Sequence, residues 1–519
     1  MSRAAVGRIV TSLCVLFVLA SLNLWGWRPF FDPDAVENGE DEIQLAPQRV
    51  SSGVQAVQNP TTPTRATFGG NPYLVGPIVN PTTTVPEAET NIAINPVNSS
   101  NFVALITDYS MRPGGDLTNG LSKYVISNDG GQTWTEQFVP STSSYPATSD
   151  GVSWLLDRDP GIAIDLQGHV YFSGLYLKLA PGGQQSSKAS ANLISRQTYP
   201  GGVYVCSGML PSITLTTSNC NPVFTYTKAT GNTTSVDRDW IAVDASTSQF
   251  SGNVYAVWTH YTGCTLITCT AKFIAFSRST DHGVTWSPLL QVSAPQHTIV
   301  DWSMVTVGND GTIYVAYQYY FMTNNMRQHF LTTSTDGGVT FSTPVAMTPQ
   351  FRNVVYSTTY RENSAPNVVV SPVVGGEYVY DAWAEQVSKG TDIAVAKSIK
   401  TKGLGGFTTP VVINDSTAGQ RQYVAAAVDG NGTVHTIWLD TRNSSTVESY
   451  DVYGTFSKNK GASWAPNARV TPALMNGNTS FLGDFFGITV EPSTGVAHAV
   501  WSNAGLASGF LQTTTLTPQ

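Results

Sequence analysis

Residues 127–134 read SNDGGQTW and residues 279–286 read STDHGVTW, and both fit the pattern S-x-D-x-G-x-T-W in full. Residues 334–341, STDGGVTF, differ only by Phe for Trp, while residues 457–464, SKNKGASW, keep the Ser, the Gly and the Trp. The chemistry of such a stretch is local. An Asp carboxylate accepts backbone N–H groups across a turn, Gly supplies a positive φ, and the aromatic packs beneath. Working outward, two of these turns run into outer-strand patterns, WSPLLQVSAP at 286–295 and FSTPVAMTPQ at 341–350. A longer unit also recurs: an apolar strand ending in Asp or Asn, a Gly-rich turn, then a second strand ending in aromatics. Its copies lie at 91–109, 161–176, 240–261, 304–320, 367–385, 425–440 and 487–503, spaced by about 58 to 79 residues. Self-similarity of β units at such a period predicts stacked sheets, because no single unit can bury both of its faces.

These turns resemble the Asp boxes of the sialidase superfamily and its bacterial-neuraminidase-repeat relatives. The resemblance implies an all-β protein, a β-propeller of four-stranded blades. It places each box between the third and fourth strands of a blade, opposite the active-site face, so Asp129, Asp281 and Asp336 are read as structural. Seven repeats predict seven blades, with the six blades of sialidases as the alternative. The segment NPYLVGPIVNPTTT (71–84) has an outer-strand pattern with no blade ahead of it, and FLQTTTLTPQ (510–519) stops where a box should follow. The N-terminal strand is therefore expected to complete the last blade and close the ring, removing both edges.

In a propeller the inner strands begin, and the second strands end, at one mouth of the central channel. Charge is scarce in this chain, yet it gathers at those positions: Glu87 and Glu89, LDRDP (156–160), VDRDW (236–240), Asp301, YRE (360–362), QRQY (420–423) and Asp484. Sialidases hold a substrate carboxylate with three Arg, attack with a Tyr assisted by Glu, and use an Asp as acid/base. On that inventory Tyr360 and Tyr423 are candidate nucleophiles, Glu362 and Glu385 their bases, and Asp159 and Asp239 the acid/base. Arg158, Arg238, Arg361 and Arg421, with Asp301 and Asp484, form the candidate substrate-binding set; Arg suits bidentate capture of a carboxylate. The Arg-Ile-Pro signature of sialidases is absent, the nearest Arg being Arg65 in TPTRATF, so no role is carried over one for one. The same residues read equally as ion pairs lacing neighbouring blades. Two functions follow: a sialidase-like propeller acting on or binding extracellular glycans, as an exo-glycosidase for acidic sugars in its enzymatic form, or a non-catalytic cell-surface scaffold.

The rest of the chain narrows the setting. Of its 519 residues only 12% are charged, about half the usual share, and the net charge is −8 with no basic stripe, which argues against a nucleic-acid partner. Residues 1–26 read as a signal peptide or a membrane anchor, with Arg3 and Arg8 before an apolar run and small residues Val18 and Ala20 before a cleavage point. Membrane contact is expected only through that segment if uncleaved. Residues 27–70 read as a polar linker, and 71–519 as one propeller, expected to be a monomer in a secreted or periplasmic setting. Four cysteines beyond the leader predict two local disulfides, Cys206–Cys220 and Cys264–Cys269. Neither a CxxC, an HExxH nor a paired-His spacing occurs, so no metal and no cofactor is expected.

Overall fold

The computed structural model describes residues 44–45, 63–83, 87–108, 121–139, 154–178, 201–226, 233–264, 268–355, 364–446, 448–476, 482–503 and 510–519. Seven antiparallel sheets follow one another along the chain. Their innermost strands are Glu87–Ile94, Trp154–Ile164, Thr233–Val243, Val300–Val307, Asn367–Val370, Arg421–Val428 and Gly487–Val490. Each packs against the next in order, and Gly487–Val490 packs back against Glu87–Ile94. The result is a seven-bladed β-propeller of four-stranded blades.

Sequence pattern explains the layering. Second strands such as Phe102–Asp108 and Val434–Asp440 are buried at every position, because a blade has a neighbour on each face. They therefore read as continuous apolar runs instead of alternating ones. Aromatics fill the wedges between blades: Tyr124, Phe172 and Tyr204 between the first and second, and Tyr255, Phe276, Tyr317 and Phe330 between the third and fourth.

The turns that opened the sequence reading lie between third and fourth strands, on the face opposite the channel mouth. Asp129 accepts hydrogen bonds from the Thr133 hydroxyl at 2.6 Å and from the Thr133 and Gln132 amides at 2.9 and 3.0 Å. Those bonds, the Thr133 hydroxyl first, hold its carboxyl down at about 2. Trp134 closes the turn by donating its indole N–H to the Gly131 carbonyl at 3.1 Å. In the divergent fourth copy Asn459 takes the Asp role, accepting the Ser463 amide at 2.8 Å.

The ring closes as the end patterns predicted. Leu74–Val75 pairs antiparallel with Phe510–Thr517, Leu74 opposite Thr517, and Val79 bridges to Thr513. Both disulfides join the expected partners. Ordered chain begins before residue 71, however: Thr64–Arg65 runs parallel to Val411–Val412, and Phe68 bridges to Trp464. Residues 64–68 thus lie along the outer edges of the fifth and sixth blades, because a blade rim still offers unpaired backbone groups.

Candidate functional site at the channel mouth

Five innermost strands carry a break in register near their first residues, between Ala88 and Asn91, Asp157 and Gly161, Asp237 and Trp240, Asp301 and Met304, and Gln422 and Ala425. Within each break one residue is left-handed: Glu89 (φ 58°), Asp159 (53°), Arg238 (52°), Trp302 (54°) and Tyr423 (53°). Glycine would adopt that conformation freely, whereas an L-residue there costs on the order of 1–2 kcal/mol. Five blades place a large functional side chain at this strained position and none places glycine. Strain of this kind, repeated around one axis, is characteristic of a site.

The bulges hold one another in sequence around the ring. Glu89 accepts the Thr107 hydroxyl at 2.8 Å and the Asp159 amide at 3.4 Å. Asp159 in turn accepts the Arg238 amide at 3.0 Å, and the Ser303 hydroxyl donates to the Arg238 carbonyl at 3.4 Å. The Arg238 guanidinium stacks 3.4 Å above the Trp302 ring and lies 3.4 Å from Asp301 and 3.5 Å, across the channel, from Asp484. Carboxylate oxygens of Glu89, Asp159 and Asp484 all fall within 4.8 Å of one another. Crowding of that order raises the Asp159 carboxyl well above its usual range, through burial first and the Glu89 charge second. A buried carboxylic acid that keeps its proton can donate it.

Beside this cluster opens a cavity of about 50 Å³ whose walls include Trp240, Trp302, Tyr423 and Phe485, with Asp484 as its acidic group. Trp240 meets Phe485 edge-on at 5.6 Å. Its plan, apolar walls around few polar groups, is that of small-ligand sites.

Of the residues singled out from sequence, Asp159, Arg238, Tyr423, Asp301 and Asp484 come together here. Asp239 is buried beside Ser173 of the second blade, and burial raises its carboxyl well above the ordinary range. Glu385 ends a second strand, accepts the Trp383 indole N–H at 3.2 Å, and is pushed by burial up to about 7. Arg421 is turned into the seam between the fifth and sixth blades. Its guanidinium donates to Asp440 at 3.1 Å, to the Thr391 carbonyl at 2.7 Å and to the Ser416 carbonyl at 2.9 Å. That geometry is the lacing alternative, since every face of the group is already used. Tyr360, Arg361 and Glu362 lie outside the described residues. Arg158 lies in the second innermost strand, and its side chain is likewise outside the description.

Sequence reasoning missed the aromatic wall. The signal was present: Trp302 follows Val300-Asp301 as Arg238 follows Val236-Asp237, so aligning VDW with VDR would have put the indole at the mouth.

The fold and mouth thus define a class, a seven-bladed propeller with a strained, aromatic and acidic channel entrance. Searches with family models and against curated proteins gave no match. Among solved structures the chain is similar to a Hadza microbial sialidase, at 13% identity over 84% of this chain and 66% of that one, with a TM-score of 0.39. It is also similar to the GH93 α-L-arabinofuranosidase of Fusarium graminearum, at 11% identity, 85% and 97% coverage and a TM-score of 0.43. A third is the intramolecular trans-sialidase from Ruminococcus gnavus, at 14% identity, 84% and 96% coverage and a TM-score of 0.40.

Proposed function

We propose that the channel mouth binds a carbohydrate, with the pyranose or furanose ring against Trp240, Trp302 and Tyr423 and its hydroxyls on Asp484 and Arg238. The observation that carries this reading is the ring of left-handed, non-glycine residues whose side chains meet beside an aromatic cavity. Aromatic faces take up the apolar side of a sugar while a few charged groups fix its orientation. Charge balance among the described residues refines the ligand. With Asp159 holding its proton, the carboxylates of Glu89, Asp301 and Asp484 are met by Arg238 and by Lys272, 2.6 Å from Asp301, which leaves a small negative excess, so a neutral or amino sugar fits better than the acidic sugar expected from sequence. In the enzymatic form, Asp159 is the proton donor and Asp484 the carboxylate facing the bond, the two roles that glycoside hydrolysis requires. Two disulfides suit an extracytoplasmic setting.

The scaffold reading has its own support, because the amide-to-carboxylate chain from blade to blade would lace the ring whether or not a ligand binds. One experiment separates them. Trp302→Ala and Asp484→Asn are measured for binding on a glycan array and for thermal midpoint. The binding reading expects a loss of about tenfold or more in affinity, roughly 1.4 kcal/mol or more, with little change in midpoint. Absence of glycan binding together with a collapse of the midpoint would establish lacing instead. Release of a chromophore from an aryl glycoside, abolished in Asp159→Asn, would demonstrate the enzymatic form.

A further inference from the structure

A second cluster of ligating side chains lies on the opposite face of the propeller. The second blade's innermost strand ends at Ile164, and Asp165 opens the turn DLQGH (165–169). Asp165 Oδ1 accepts the Gln167 and His169 amides, both at 2.9 Å, which fixes the carboxylate and leaves Oδ2 for side chains. His169 Nδ1 lies 2.9 Å from Oδ2. The third ligand comes from the next blade. His282, the fourth residue of STDHGVTW, places Nδ1 at 3.7 Å from the same oxygen, and its ring stacks on His169 with centroids 4.5 Å apart. Tyr171 reaches both groups, its hydroxyl 3.0 Å from Asp165 Oδ2 and 3.0 Å from His282 Nδ1.

We propose that Asp165, His169 and His282 form a binding site for a divalent transition-metal ion that clamps the second blade to the third. Two imidazole nitrogens and one carboxylate oxygen are a common donor set for zinc. Ligand atoms around a tetrahedral zinc stand about 3.4 Å apart when each bond is about 2.1 Å, and the observed separations of 2.9 and 3.7 Å bracket that value. Asp165 is fully buried while the His282 side chain is 49% exposed, so an ion has a path inward and water can complete the coordination. The ion would replace the hydrogen bond between His169 Nδ1 and Asp165 Oδ2 and that between the Tyr171 hydroxyl and His282 Nδ1, while the Tyr171 hydroxyl keeps its bond to Asp165.

The backbone supplies an independent observation. His282 is left-handed (φ 59°) at the position where two sister turns carry Gly130 (φ 76°) and Gly337 (φ 68°) and the third carries Lys460 (φ 60°). A side chain at this position costs backbone stability, and that of His282 reaches across the seam to Asp165 and His169. The sequence reading expected no metal, since the two histidines belong to different repeats and show no spacing signal. Folding brings them into contact.

The test uses the full chain, untagged and stripped with a chelator, titrated with Zn²⁺ in a calorimeter and with Co²⁺ in an absorption cell. One saturable equivalent of zinc is expected, with ligand-field bands for cobalt and a rise in thermal midpoint that chelation reverses. His169→Ala and His282→Gly should each lower zinc affinity about tenfold or more, at least the loss seen when only an outer hydrogen bond to a ligand is removed. His282→Gly keeps the turn's preferred backbone, so its midpoint in chelator should match or exceed that of the unmodified chain, and its loss of zinc cannot be ascribed to unfolding. Absence of saturable binding would overturn the proposal, and so would undiminished affinity in His282→Gly.

Discussion

Glu385 shows how a single residue at the rim couples position to pH. It is buried at the end of a second strand, where the Trp383 indole N–H is its hydrogen-bond partner. The arrangement repeats with other chemistry: Trp438 donates to Asp440 at 2.9 Å, and Trp258 to His260 at 3.3 Å. Asp440 is neutralised by Arg421 and Arg442, whereas burial dominates at Glu385 and moves its carboxyl from 4.5 to about 7. A carboxyl raised on folding stabilises the native state fully below the unfolded value. That contribution is lost as pH climbs through about 7, a change on the order of 3 kcal/mol at most. Glu385→Gln removes that one titration, so between pH 4.5 and pH 8 it should lose less stability than the unmodified chain, by up to that amount. Parallel pH profiles for the two proteins would show that Glu385 is solvated.

At the scale of the element, the recurring device is the bulge that opens an innermost strand. An extra residue turns the backbone left-handed and aims one side chain at the axis, where a regular strand would send it into the seam between blades. Glu89, Asp159, Arg238, Trp302 and Tyr423 share this conformation although their side chains share no chemistry, so the conformation belongs to the element. Replacement of Trp302 separates backbone from side chain. Trp302→Gly should be more stable than Trp302→Ala by about 1 kcal/mol in urea denaturation, because alanine pays the left-handed cost and glycine does not. Equal stabilities would mean that the bulge relaxes once the indole is gone.

Across the whole molecule, stability depends on a ring with no free edge. The last blade takes its outer strand from Leu74–Val75, while Tyr73 sits 5% exposed in the core of the sixth blade and bonds to His435 and to the Thr455 carbonyl. Deletion of Tyr73–Val79 should uncover the edge of Phe510–Thr517 and remove that anchor together. The expected outcome is a lower thermal midpoint and association by light scattering, since an unpaired strand recruits another. A monomeric truncation with an unchanged midpoint would mean that closure elsewhere in the ring suffices.

What the sequence by itself determined is the chemistry that acts between near neighbours. The S-x-D-x-G-x-T-W turns, the seven inner-strand repeats, the two short disulfide loops and the unpaired end patterns each express forces acting within one hairpin or one blade. They were enough for the blade count and for the closure. The tertiary structure decided what happens between blades, where periodicity carries no information. Packing of the fifth blade on the sixth drew Arg421 into their seam. Stacking of the second blade on the third brought His282 to Asp165. Such contacts depend on the twist and spacing of whole sheets, which no local pattern encodes.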